Sequence, residues 1–74
     1  MRLELVTRVG CHLCEAAEAA LRGAGIEVVL LDVDSDAELA RLYDFRVPVL
    51  LADRRPVLEG VIEPAALSRL VAGR

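Results

Sequence analysis

The chain has no tryptophan, lysine, asparagine or glutamine, and its 74 residues include one tyrosine and one phenylalanine. So few rings leave no stacking platform for single-stranded nucleic acid. All nine basic residues are arginine and the formal net charge is −3, so the basic excess of a nucleic-acid-binding face is missing too. No stretch approaches the ~20 apolar residues of a membrane span. Arg2 and Glu4 interrupt any apolar run at the start, so no secretory signal is expected. Cysteine is scarce as well: two residues, three positions apart, are too few for a secreted disulfide scaffold. These features point to a cytoplasmic protein, where such a pair is catalytic or metal-binding rather than structural.

Hydrophobic residues make up 55% of the chain, most of them Leu, Val and Ala. They are enough for one small aliphatic core, and a single domain spanning residues 1–74 is expected. Arg2 to Thr7 reads as a strand. Gly10 permits a turn into a helix from about Cys11 to Arg22, with Gly23 and Gly25 as its stop. Ile26 to Leu31 is an almost continuous apolar run, the pattern of a strand buried on both faces. Ser35-Asp36-Ala37-Glu38 has the form of a capping box and should start a second helix that ends near Tyr43. Val47 to Leu51 and Pro56 to Glu59 read as third and fourth strands, with Pro56 suiting an edge. Pro64 then opens a last helix through Leu67, Leu70 and Val71. The order is βαβαββα, an α/β fold with a parallel opening pair and an antiparallel closing hairpin.

The helical phase separates the two cysteines. Leu13, Ala17, Ala20, Leu21 and Ala24 form an apolar stripe along the first helix. At ~100° per residue, Cys14 lies roughly 75° from the stripe's centre and Cys11 roughly 135°. Cys14 should therefore face the protein and Cys11 should face solvent at the helix's open end. Unpaired N–H groups and the macrodipole stabilise a thiolate there. The pattern fits dithiol–disulfide exchange, with Cys11 attacking and Cys14 resolving. A closed structural zinc site needs about four ligands. Cys11, Cys14 and His12 fall short of that, so no metal set is expected in a monomer. His12 has two readings: a protonated ring that lowers the Cys11 pKa, or a solvated first-turn residue with little influence.

Thr7-Arg8-Val9-Gly10-Cys11-His12-Leu13-Cys14, Arg46-Val47-Pro48-Val49-Leu50 and Gly60 together make the chain resemble the thioredoxin superfamily, specifically its bacterial glutaredoxin-like domains. The resemblance implies a four-stranded mixed sheet in the order 2-1-3-4 with three helices. It implies a cis Val47–Pro48 bond facing the cysteines, with Val47 offering its backbone to substrate. It also brings Arg8 and Arg46 toward the site, where they would stabilise a thiolate or attract a carboxylate, unless they are plain surface arginines. Gly60 stands where the family holds glutathione, but Glu63 is displaced from the usual acidic position, and His-Leu replaces the usual Pro-Tyr between the cysteines.

The implied activity is thiol–disulfide oxidoreduction without a bound cofactor. Its partner would be a disulfide-containing protein or glutathione as co-substrate. Two alternatives stay open: a cluster- or metal-binding relative with Cys11 bridging two subunits, and a non-catalytic interaction module.

Overall fold

The computed structural model describes residues 2–72; residues 1, 73 and 74 of the expected domain lie outside it. The chain runs β1 (Leu3–Thr7), α1 (His12–Gly23), β2 (Val29–Asp32), a 3-10 turn (Val33–Ser35), α2 (Ala37–Tyr43), β3 (Val49–Ala52), β4 (Arg55–Glu59) and α3 (Pro64–Ala72). The sheet order is β2-β1-β3-β4. β1 pairs parallel with β2, antiparallel with β3, and β3 pairs antiparallel with β4. This is the expected βαβαββα fold with three α-helices.

Alternation along the two central strands splits the core between the faces of the sheet. Leu5 and Leu50 pack with Ala17 and Leu21 of α1 and with Ile62 and Leu67 near and on α3. Val6, Val49 and Leu51 pack on the other face with Val33 and Tyr43. Leu70 joins the first cluster, while the side chain of Val71 lies outside the described residues. Glu4 shares the face of Val6 and is almost fully buried. Its carboxylate is met by the exposed Arg2 at 3.4 Å and Arg54 at 3.8 Å.

Three local expectations need correction. The apolar run from Ile26 does not form a strand buried on both faces: only Val29–Asp32 is extended, and Val29 and Leu30 stay about half exposed. The cause is position, since β2 is an outer strand with a neighbour on one side only. The capping box on Ser35 does not form. Asp36 caps α2 by accepting from the N–H groups of Glu38 and Leu39, while the Ser35 hydroxyl donates to the Asp32 carbonyl. On α1 the buried positions are Cys14, Ala17 and Leu21, whereas Leu13 is exposed. The packed face is thus turned by about 50° from the expected stripe, toward Cys14.

The ends of α1 and α3 follow the sequence signals. Gly25, with φ +72°, follows the α1 C-cap, and the Ile26 N–H closes back on the Leu21 carbonyl. Pro64 is the first helical residue of α3, and the Glu63 carbonyl accepts from Ala66 and Leu67.

Candidate active site

The strand register collects three loops at one end of the sheet. Val6 lies opposite Val49, and Val49 opposite Glu59. The loop after β1 (8–11), the loop before β3 (44–48) and the loop after β4 (60–63) therefore share an edge. Hydrogen bonds tie them together: Arg8 Nη1 donates to the Asp44 carbonyl at 2.9 Å, and the Gly60 N–H donates to the Pro48 carbonyl at 2.9 Å. The Val47–Pro48 bond is cis, as the resemblance implies. Pro48 is fully buried.

Cys11 and Cys14 sit in the first of these loops and the helix it opens. Gly10 has φ +81°, a left-handed conformation that costs an L side chain about 1–2 kcal/mol. It turns the chain so that Cys11 becomes the N-cap of α1, in extended backbone geometry. The Cys11 N–H donates to the Arg8 carbonyl at 3.2 Å, and its own carbonyl receives the Glu15 N–H at 3.0 Å. Cys11 Sγ accepts the N–H of Cys14 at 3.2 Å, so the sulfur takes the place a Ser or Asp oxygen holds in an ordinary cap. The two cysteines are joined in a disulfide, with Cα atoms 5.2 Å apart. Cys14 is 3% exposed and packs inward, whereas Cys11 is only partly covered. An open groove of about 250 Å³ lined by Thr7, Arg8, Val9, Gly10 and Glu15 runs beside Cys14.

The other expected site residues fall in two groups. Val47, Pro48 and Gly60 lie together beside the cysteine loop through the contacts above. Among the described residues, the Val47 backbone has no hydrogen-bond partner. The charged residues are committed elsewhere. Arg8 grips the Asp34 carboxylate with Nε at 3.0 Å and Nη2 at 2.9 Å, and it also pairs with the Asp44 carboxylate. Arg46 forms a two-point pair with Glu59, at 3.0 and 2.9 Å, and lies 5.2 Å from the Tyr43 ring centre. The His12 side chain is 97% exposed and faces Glu15, with Nδ1 3.3 Å from its carboxylate.

Sequence reasoning missed these carboxylate partners. Asp34 and Asp44 stand 26 and 36 residues from Arg8, with no local signal to link them. Glu59 was within reach, because the β3–β4 hairpin folds residue 59 back beside residue 49.

Hydrogen bonding from Arg8 holds the Asp34 carboxyl below its ordinary pKa, and Arg46 does the same for Glu59, as does Arg41 for Glu38 on α2. The guanidiniums of Arg8 and Arg46 are raised in turn by the same bonds. A carboxyl whose pKa is depressed on folding stabilises the folded state above its unfolded pKa of about 4. That contribution disappears as pH falls through the lower folded value. Thermal stability should therefore be insensitive to these groups above about pH 6 and decline modestly below about pH 4, because solvent screens pairs this exposed. Thermal melts from pH 7 to pH 2.5 check this. A midpoint that does not fall on acidification would contradict the pairing.

The sequence matches the family model described as Glutaredoxin-like domain (DUF836) over residues 2–72. The chain belongs to the glutaredoxin-like domain family. It is 32% identical to the structural-genomics target XcR50 from X. campestris, with a TM-score of 0.83 and 97% of each chain covered. Protein Ne2328 from Nitrosomonas europaea is 31% identical, with a TM-score of 0.79, 93% of this chain and 88% of that one covered. The thioredoxin-like protein BC3987, 22% identical with a TM-score of 0.68 over 96% and 97% of the two chains, shares the fold. No curated protein sequence matches the chain. A glutaredoxin-like fold carrying a Cys11–Cys14 pair supports redox-type function. Among the described residues, no helix is long and apolar enough to cross a membrane.

Proposed function

We propose that this family member is a thiol–disulfide oxidoreductase in which Cys11 attacks and Cys14 resolves. The observation that carries the reading is the capping sulfur: Cys11 Sγ ends the first turn of α1, accepts a backbone N–H and is less covered than Cys14. A helix N-terminus favours the thiolate, which is the nucleophile. In the reduced protein, Cys11 thiolate attacks one sulfur of a substrate disulfide and expels the other as a thiolate. Cys14 thiolate then attacks Cys11 Sγ, forming the Cys11–Cys14 bond and releasing the second substrate thiol. Two electrons pass from the dithiol to the substrate, and an external dithiol or pair of thiols returns them.

Support for the remaining residues is uneven. Among the described residues the Val47 backbone N–H and C=O, next to Pro48, have no partner, in keeping with the backbone docking the family resemblance implies. Arg8 is better read as a brace than as a free charge, because two carboxylates answer it while its own backbone and side chain connect the Cys11 loop to Asp44. His12 points into solvent, which favours a solvated first-turn residue with little influence on Cys11.

The test is a stoichiometric reaction of the reduced protein with a small aromatic disulfide. The expected result is release of two aryl thiolates per chain, with the protein ending as the Cys11–Cys14 disulfide. Cys14→Ser should release one and retain the other as an adduct on Cys11, located by peptide mass mapping. An adduct found on Cys14 in the Cys11→Ser protein at the wild-type rate would reverse the assignment.

A further inference from the structure

The three loops at the site present an unusual surface. Phe45 is 95% exposed, Val9 88% and Val61 69%, the three highest values among the exposed large hydrophobics of the described residues. One stands on each loop, and Leu13, 49% exposed, adds a fourth from inside the cysteine motif. The loops are held to one another by the Arg8–Asp44 and Gly60–Pro48 bonds, so these side chains gather at the cysteine end of the sheet rather than scatter. Single exposed apolar residues are ordinary, but a contiguous apolar patch marks a binding surface.

The charges on the same loops narrow the occupant. Arg8 is answered by Asp34 and Asp44, Arg46 by Glu59, and His12 faces Glu15. The exposed Glu63 shows no cationic partner among the described residues. A ligand that docks through its own carboxylates, as glutathione must, meets engaged cations and an unanswered acid. An extended uncharged segment meets apolar side chains and the free Val47 backbone.

Resting on the disulfide-exchange reading, we infer that the rim docks an extended apolar segment beside a disulfide in a partner protein, with Phe45 as its main anchor. Glutathione disulfide is then a poor substrate. Cys11 attacks the partner's disulfide, Cys14 releases it as a dithiol, and the apolar contacts raise the encounter rate of the first step.

The experiment is a single-turnover oxidation of the reduced protein, acid-quenched, alkylated and read by mass. Four oxidants are compared: hydroxyethyl disulfide, glutathione disulfide, and two cyclic disulfide peptides of equal length flanked by Leu-Val or by Ser-Asp. The apolar-flanked peptide is expected to react at least tenfold faster than the Ser-Asp peptide or glutathione disulfide. Phe45→Ala is expected to lower the ratio of the apolar-peptide rate to the hydroxyethyl disulfide rate about tenfold, equivalent to about 1.4 kcal/mol. Because Phe45 is almost wholly exposed, its loss should not unfold the protein. Val57→Ala, on the outer strand β4, should keep the wild-type ratio. Glutathione disulfide reacting as fast as the apolar peptide, or a ratio unmoved by Phe45→Ala, overturns the inference while leaving disulfide exchange intact. Failure of all four oxidants at Cys11 overturns both.

Discussion

Cys11→Ser is expected to abolish catalysed disulfide reduction, lowering the rate by roughly a thousandfold or more, the scale on which loss of a covalent nucleophile registers. The substitution separates chemistry from folding unusually well. Serine is a preferred N-cap, so its hydroxyl can take over the bond that Cys11 Sγ accepts from the Cys14 N–H, and α1 should keep its first turn. Cys14→Ser behaves differently: the first attack survives and turnover stalls at the mixed disulfide, because the resolving sulfur is gone. A steady-state assay with excess dithiol and a peptide disulfide, run beside far-ultraviolet dichroism for each variant, reads both effects. The same capping geometry predicts a thiolate absorbance that titrates below the free-cysteine range and disappears in Cys11→Ser. Cys11→Ser retaining turnover would remove the assignment, whatever the fold of the variant.

The different placements of the two cysteines were legible in the sequence because helical phase is a strong, local signal. An apolar stripe on α1 was enough to turn Cys14 inward, even though the true packed face includes Cys14 itself and excludes Leu13. Element order was legible for similar reasons, since glycine, proline and the switch of apolar period punctuate the chain. The burial of β2 was not. A continuous apolar run reads the same whether a strand is covered on both faces or lies half-bare at an edge, and only the sheet order distinguishes them. Capping failed by one residue because two neighbouring side chains competed, and the Asp32 carbonyl captured the Ser35 hydroxyl. The ion pairs of Arg8 were illegible in principle, as they join segments that only the completed fold brings together. Those pairs change the reading of the site most: residues expected to supply charge instead hold the loops in place, leaving an apolar rim.

Leu50→Ala is expected to cost about 3–5 kcal/mol, against under about 1 kcal/mol for Leu30→Ala. Leu50 is fully buried on the central strand β3, lies between Leu5 of β1 and Leu58 of β4, and packs in the cluster formed with α1 and α3. Its truncation leaves a cavity lined by elements that cannot collapse without breaking the sheet. Leu30 is 48% exposed on the outer strand β2, so water already covers much of what the truncation removes. A domain of this length has only about 4–11 kcal/mol of stability in total. Leu50→Ala therefore removes about a quarter of it at the least and, where the total lies near about 4 kcal/mol, most or all of it. In thermal terms the loss is roughly 12 °C or more, at about 4–8 °C per kcal/mol for a domain of this size. Urea unfolding of both variants checks the contrast, the midpoint moving far for Leu50→Ala and little for Leu30→Ala at an unchanged slope. Equal losses would mean that β2 is covered as the sequence pattern first implied, and that the sheet does not end there.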